Sequence, residues 1–310
     1  MDVGVIGVGA MGKNHVRVYS ELKSVDHLCV CDVNAEAAKA IGKQHGATVY
    51  PSVEELLKHV DAVSICVPTQ FHAGVAKQVF AAQKHAFIEK PICATAAEAR
   101  VLMATVPEGN VVGVGHIERF NPIVSEIKKI VTKPLYVELK RHNPASARVT
   151  GSSVVEDLMI HDIDIVANVF FKNLENISSV GNADLCSVQM ESEGVPVVLS
   201  ASRRASKKIR LIYIEDEEFT VEGDFMSQEV TIYRKPGQYR IENERYVQEN
   251  IIEKVMVNKV EPLKVELSMF VDCAKKGRPF PITPDQAIRN LDICEQIRAG
   301  CSGTPGAGHP

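Results

Sequence analysis

The 310-residue chain is most easily placed first by what it lacks. No apolar stretch reaches the ~20 residues of a membrane-spanning helix. Its eight cysteines, Cys29, Cys31, Cys66, Cys93, Cys186, Cys273, Cys294 and Cys301, form no C-x-x-C pair and no Cys/His spacing suited to zinc. They read as mostly small buried hydrophobes in a reducing compartment, and no metal site is expected. A net charge of −4 leaves no basic surplus of the kind that binds nucleic acid. There is no internal repeat, and no low-complexity segment other than the Gly/Pro-rich end from Cys301 to Pro310, expected as a flexible tail over 301–310. Met1-Asp2-Val3 enters a strand with neither a basic region nor a signal-type apolar segment, so the expected location is cytoplasmic. What remains is the profile of an ordinary enzyme: 45% hydrophobic residues, enough for real cores, and a length that suggests two domains.

The informative feature stands at the start. Residues 4–12 read Gly4-Val5-Ile6-Gly7-Val8-Gly9-Ala10-Met11-Gly12, an apolar run that ends in a complete G-x-G-x-x-G. A helical stretch, Lys13 to Leu22, follows, and a second apolar run, Leu28-Cys29-Val30-Cys31, closes on Asp32. In that context the motif is a dinucleotide-binding βαβ unit. Gly7 permits the tight turn, Gly9 admits a pyrophosphate to the backbone and Gly12 lets the helix pack closely, so that the helix N-terminus faces the phosphates. A carboxylate at position 32 accepts from ribose hydroxyls and repels a 2′-phosphate, and Val33-Asn34 offers no arginine to accommodate one, which favours NAD over NADP. Asp32 as a simple cap on the helix beginning near Ala35 is compatible with the same sequence.

To about residue 116, short apolar runs (61–67, 86–88, 110–114) alternate with helical segments (53–59, 71–83, 95–105), the pattern of a parallel sheet covered on both faces. Beyond residue 120 the pattern changes. A helix at 122–131, a strand at 134–141, a polar loop from Arg141 to Ser153 and a helix from Val154 to Phe171 lead into β-rich stretches at 177–190, 195–203, 208–215, 218–234 and 239–248, then helices at 262–276 and 284–299. The expected fold is therefore an α/β Rossmann domain with a doubly wound parallel sheet over 1–118. An α+β domain with a mostly antiparallel open sheet is expected over 119–300.

Glu89-Lys90-Pro91 after the fifth strand, Pro68-Thr69-Gln70-Phe71-His72 after the fourth, and Asp157-Leu158-Met159-Ile160-His161-Asp162-Ile163-Asp164 complete a pattern that resembles the Gfo/Idh/MocA oxidoreductases along nearly the whole chain. The resemblance implies a Rossmann domain followed by a domain whose open sheet walls the active site and often forms a dimer or tetramer interface. It also implies a cis Lys90–Pro91 bond and a cofactor side lined by Pro68, Thr69, His72, Glu89 and Lys90, with the loop residues Val8, Ala10 and Met11 and with Asn34 completing the cofactor set. Within the family, His116-Ile117-Glu118-Arg119-Phe120-Asn121-Pro122 is most similar to enzymes that oxidise the 3-hydroxyl of UDP-N-acetylglucosamine or its uronic acid.

The residue chemistry points to hydride transfer on its own terms. Lys90, after a parallel strand, stands where open α/β sheets bind ligands, and its ammonium suits a developing alkoxide. Asp157 and His161, at i and i+4, share a helix face, where the carboxylate orients the imidazole as a proton acceptor. Asp164 is expected to be structural. Arg119, Asn121, Arg141 and Arg148 are candidates to hold a diphosphate or carboxylate, arginine by its bidentate fork. The runs Arg203-Arg204-Ala205-Ser206-Lys207-Lys208 and Glu215-Asp216-Glu217-Glu218 read as charged strand ends and a hairpin turn. The leading expectation is an NAD-dependent dehydrogenase of a secondary sugar hydroxyl. An inositol or free-sugar dehydrogenase and a catalytically silent nucleotide-binding regulator are the alternatives.

Overall fold

In the computed structural model, residues 1–144, 152–235, 239–242, 245–248, 250 and 251–302 are described. The chain forms two compact units, Met1–Phe120 with Glu261–Asp292, and Asn121–Val260 with the residues from Ile293 onward.

The first unit alternates β1 (Val3–Ile6), α1 (Gly12–Glu21), β2 (Leu28–Cys31), α2 (Ala35–His45), β3 (Thr48–Val49), α3 (Val53–Leu57), β4 (Ala62–Ile65), α4 (His72–Ala81), β5 (His85–Glu89), α5 (Ala96–Met103) and β6 (Val112–Gly115). Its sheet runs β3-β2-β1-β4-β5-β6 and every neighbouring pair is parallel. Strands β1, β2 and β4 are buried at every position, which is why they read as continuous apolar runs rather than alternating ones. The order reverses between β1 and β4, and open α/β sheets bind ligands at that reversal, at the carboxyl ends of the strands.

The second unit contains α6 (Pro122–Ile130), β7 (Pro134–His142), a helix of three joined segments, Val155–Met159, α7 (Ile160–Ile165) and Val166–Phe170, and strands β8 (Glu175–Gly181), β9 (Leu185–Ser192), β10 (Val195–Ser202), β11 (Ile209–Asp216), β12 (Phe219–Asp224), β13 (Glu229–Arg234), β14 (Tyr239–Glu242), β15 (Arg245–Gln248) and β16 (Ile252–Val255). Eight strands form one sheet in the order β16-β13-β12-β11-β7-β10-β9-β8, antiparallel except for β7 with β10. Inward residues Val137, Leu139, Leu199, Ile212 and Ile214 alternate with outward ones, polar and apolar, and build the core with Ile123, Ile127, Met159 and Ile163.

The expected strands 177–190 and 218–234 are each two strands. Asn182 Oδ1 accepts from Asp184 N (2.9 Å) and Leu185 N (3.1 Å), and Asp224 Oδ1 accepts from Met226 N (2.7 Å). These side chains substitute for ladder partners and turn the chain back. The expected 239–248 strand is the separate pair β14 and β15.

The closing helices correct the contiguous division at 118/119. Helix α8 (Pro262–Lys276) belongs to the first unit, where Leu263, Leu267, Phe270 and Val271 join the Rossmann core. Phe270 and Phe280 meet Phe87 of β5 edge-on, at 5.4 and 5.9 Å between ring centroids. Helix α9 (Pro284–Ser302) passes from the first unit to the second at Asp292/Ile293, and Cys294 and Ile297 lie in the second core. Cys301, expected to open the tail, is in this helix, its Sγ 3.3 Å from Sγ of Cys186; 303–310 lie outside the described residues. Among the described residues no helix is long and apolar enough to cross a membrane.

Candidate functional site

A groove of about 800 Å³ lies over the carboxyl ends of β1, β2, β4 and β5. It is lined by Gly7, Gly9, Ala10, Met11, Asp32, Pro68, Thr69, His72, Glu89 and Lys90, all expected cofactor residues. Gly7 has φ +90°, and a Cβ there would stand 2.9 Å from the Cys66 and Val67 backbone. A Cβ on Gly12 would stand 1.8 Å from the Gly7 carbonyl oxygen, so only glycine lets α1 start this close to the turn. At Gly9 nothing lies within 4 Å, an open approach to the N-terminus of α1. That combination fits a dinucleotide pyrophosphate.

Asp32 and Asn34 divide the two tasks that the sequence left joined. Asn34 is the cap of α2, its side chain accepting from Ala37 N at 3.0 Å. Asp32 instead faces the Gly-rich turn, with Oδ2 accepting from Val8 N (2.6 Å) and Oδ1 from Asn34 N (2.8 Å). Asn34 thus spends its side-chain oxygen on the helix, beside Asp32 at the end of β2. Val8 gives its backbone N–H to Asp32, and Gly12 opens α1 against the turn.

At the far end of the groove β5 delivers Glu89 and Lys90, and the Lys90–Pro91 bond is cis, as the resemblance implied. His72 is 1% exposed, with Nδ1 2.9 Å from the Pro91 carbonyl and Nε2 2.8 Å from the Val67 carbonyl. Burial pushes this imidazole below its ordinary pKa, and the two carbonyls partly offset that. A backbone carbonyl faces each ring nitrogen, so His72, whose neutral imidazole donates to one of the two at a time, bridges the loops after β4 and β5 at the wall of the groove. The Glu89 carboxylate is also engaged: Oε1 is 2.8 Å from His15 Nε2, and Oε2 accepts from Lys90 N at 3.1 Å. Burial alone would raise this carboxyl, but the His15 bond and the charges of His15 and Lys90 hold it below its ordinary value.

In the second unit Asp157 and His161, both half-buried, lie on the helix beginning at Val155. The turn Val155–Met159 is π-helical and passes into α-helix at Ile160, so the pair straddles a junction of a kind that recurs at functional sites. Asp164, read as structural, is 1% exposed and accepts from Asn168 Nδ2 at 3.1 Å. Arg203 went unrecognised as part of a charge run. It is 9% exposed, donates to the Ser152 carbonyl at 2.8 Å, and lies 3.9 Å from the Asp157 carboxylate. Its neighbour Arg204 is the solvated one, paired with Asp184.

Two substrate candidates, Arg141 and Asn121, lie buried among partners of the second unit. Arg141 is 1% exposed, bonded through Nε and Nη2 to Asp162 Oδ1 (2.9 and 2.7 Å), with its guanidinium 5.3 Å from the Phe225 ring centroid. Asn121 is 3% exposed and caps α6 while donating to the Phe225 carbonyl at 2.9 Å. Both hold the second core. Arg119 is half-buried and donates to Gln286 at 3.1 Å. Arg148 lies outside the described residues.

Residues 1–116 match the family described as "Oxidoreductase family, NAD-binding Rossmann fold". UDP-N-acetylglucosamine 3-dehydrogenase of Acidithiobacillus ferrooxidans is 31% identical over 96% of both chains. A solved structure of that enzyme covers 97% of both chains with a TM-score of 0.86 at 29% identity. Inositol 2-dehydrogenase of Acidothermus cellulolyticus is 30% identical over 57% of this chain and 56% of its own.

Proposed function

The chain belongs to the Gfo/Idh/MocA oxidoreductase family, with an NAD-binding Rossmann fold, and we propose that it oxidises the C3 hydroxyl of UDP-N-acetylglucosamine or of its uronic acid to the ketone. The observation that carries this reading is the end-to-end likeness, 96% of both chains, to an enzyme of that activity. The inositol dehydrogenase likeness, over 57% of the chain, supports the second reading, a cyclitol or free-sugar substrate.

Lys90, Asp157 and His161 carry the chemistry in this proposal. His161 takes the hydroxyl proton, with Asp157 orienting the imidazole and holding a neighbouring hydroxyl. The Lys90 ammonium stabilises the alkoxide as it forms. NAD, when bound, supplies the hydride acceptor. Gly7, Gly9, Ala10, Met11, Asp32, Pro68 and Thr69 hold it, with Asp32 on the adenosine ribose. Arg119 and Arg148 are the candidates for the diphosphate or uronate. A homodimer or homotetramer in the cytoplasm completes the proposal. Support for the assembly comes from the outward face of the second sheet, where Tyr136 and Tyr213 meet edge-on at 6.2 Å beside exposed Leu211.

The test is a thermal-shift panel of UDP-sugars, inositols and free hexoses with NAD present, followed by turnover of each hit. A ligand at ~100 times its Kd stabilises by about 2.7 kcal/mol. UDP-N-acetylglucosamine or its uronate should shift the transition and reduce NAD, and UDP alone should compete. Turnover of myo-inositol or free glucose, with both nucleotide sugars inert and UDP not inhibiting, would replace the first reading by the second.

A further inference from the structure

Deep in the first unit an imidazole and a carboxylate are bonded to each other out of reach of solvent. His15, on the first turn of α1, is 0% exposed, and Glu89, the last residue of β5, is 7% exposed, their bonded atoms 2.8 Å apart. The His15 ring packs on Phe87 at 5.6 Å and on Tyr19 at 6.3 Å between centroids, and the Tyr19 hydroxyl is in turn bonded to Ser64 at 2.8 Å. On the other side β6 closes over the carboxylate: Gly115 pairs with Glu89, and a Cβ there would come within 3.0 Å of Glu89 Oε2. Replacing such a buried pair by apolar side chains of similar volume is often neutral or stabilising, so packing alone does not account for it. What distinguishes the pair is where its two ends lie. His15 belongs to the helix whose N-terminus faces the pyrophosphate position, and the free end of the Glu89 carboxylate accepts from the backbone N–H of Lys90 at 3.1 Å.

From this chain of bonds we infer that His15 and Glu89 are positioning residues that fix Lys90 relative to the cofactor-binding helix, so that seating a dinucleotide on α1 also sets the ammonium beside the reacting hydroxyl. The inference deepens the dehydrogenase reading and rests on it for its catalytic consequence, while the mechanical link is testable without turnover. A proton on Nε2 lets His15 donate to the carboxylate, a task glutamine performs from nearly the same atom position, asparagine cannot reach, and leucine lacks.

The experiment compares wild type with His15→Gln, His15→Asn and His15→Leu, two breaking variants so that a folding failure in one leaves the other. Amide hydrogen exchange is followed by mass spectrometry in peptides spanning Lys90, with and without NAD, together with NAD affinity and single-turnover hydride transfer at saturating NAD. Exchange at Lys90 should be about tenfold faster in the asparagine and leucine variants and near wild type in the glutamine variant. Hydride transfer should follow the same order, falling about 10- to 100-fold when the link is cut, the cost of a misplacement near 1 Å, with NAD affinity changing much less. Equal exchange in all four proteins, or a glutamine variant as damaged as leucine, overturns the inference. A wild type that oxidises no hydroxyl compound in the panel sinks the dehydrogenase reading, and the exchange measurement still decides the link.

Discussion

Asp32→Ala separates two jobs that adjacent residues share at the end of β2. Each carboxylate oxygen has about two lone-pair positions, roughly four in all. Val8 N and Asn34 N occupy two of them. About two remain for ribose hydroxyls on the groove side, each a charge-assisted bond with a net value of ~1.5 kcal/mol at the weak end of its range, so that their loss totals about 3 kcal/mol. Partial solvent exposure discounts that, and at ~1.4 kcal/mol per tenfold the expected weakening of NAD is about 10- to 100-fold. For NADP the same substitution removes the charge facing the 2′-phosphate, so its affinity falls less or rises, and the NAD/NADP ratio drops by at least about tenfold. Helix α2 should stay intact, since its cap is Asn34. The control is Asn34→Ala, which should cost about 1 kcal/mol of stability and lower Tm by about 2–4 °C while leaving the ratio unchanged. Calorimetric titration of both cofactors at one ionic strength, alongside thermal unfolding, reads all of this. An unchanged ratio in Asp32→Ala, or an equal change in Asn34→Ala, would refute the assignment of Asp32 to the ribose.

The remaining expectations concern the chemistry, the second core and pH. Lys90→Ala and His161→Asn should each lower kcat by about 10²–10⁴, the second with NAD affinity nearly intact, and full single-turnover activity in either removes that residue from the mechanism. Arg141→Leu leaves Asp162 buried opposite no guanidinium and should cost about 3–5 kcal/mol, read as a lower urea midpoint with KM unaffected in the fraction that folds; a higher KM at unchanged stability would restore Arg141 to the substrate. His72 is held below its ordinary pKa by burial, so the native state binds fewer protons than the unfolded one. Its stability contribution is complete above the unfolded value of about 6.5 and is lost as pH falls from there through the lower native value. His85 and His142 are shifted in the same direction, again by burial first. The urea midpoint should therefore fall between about pH 7 and pH 5, less steeply in His72→Gln, and identical slopes would show that His72 does not titrate with unfolding.

The residues that sequence reading placed best are those whose reason is local. Gly7 and Gly12 are required by backbone atoms within a few positions along the chain or just past the adjoining strand, and an apolar run as short as Val3–Ile6, closed by a glycine turn, reads as a strand covered on both faces. Where two polar residues of similar kind stand together the local reason splits, and only coordinates show that Asn34 caps while Asp32 faces the loop. Arg141 is instructive because its signal was present. Inward positions on β7 are Val137 and Leu139, and a period of two carries that face straight to residue 141, whose charge suggested a ligand where the alternation required a buried partner. Asn182 and Asp224 were likewise turn-forming residues inside runs read as single strands. Other features have no signal at that range. The apolar face of α8 announces burial but not which of two cores receives it, and Arg203 is one cation among four in its run until β10 brings it to Asp157. His15 belongs with these: a histidine on an amphipathic helix carries no mark of its partner, and Glu89 lies 74 residues away. The buried polar bonds that orient a site join distant segments, whereas the glycines and strand ends that create its space are written contiguously. A chain can therefore declare its groove long before it declares what holds the groove's reactive end in place.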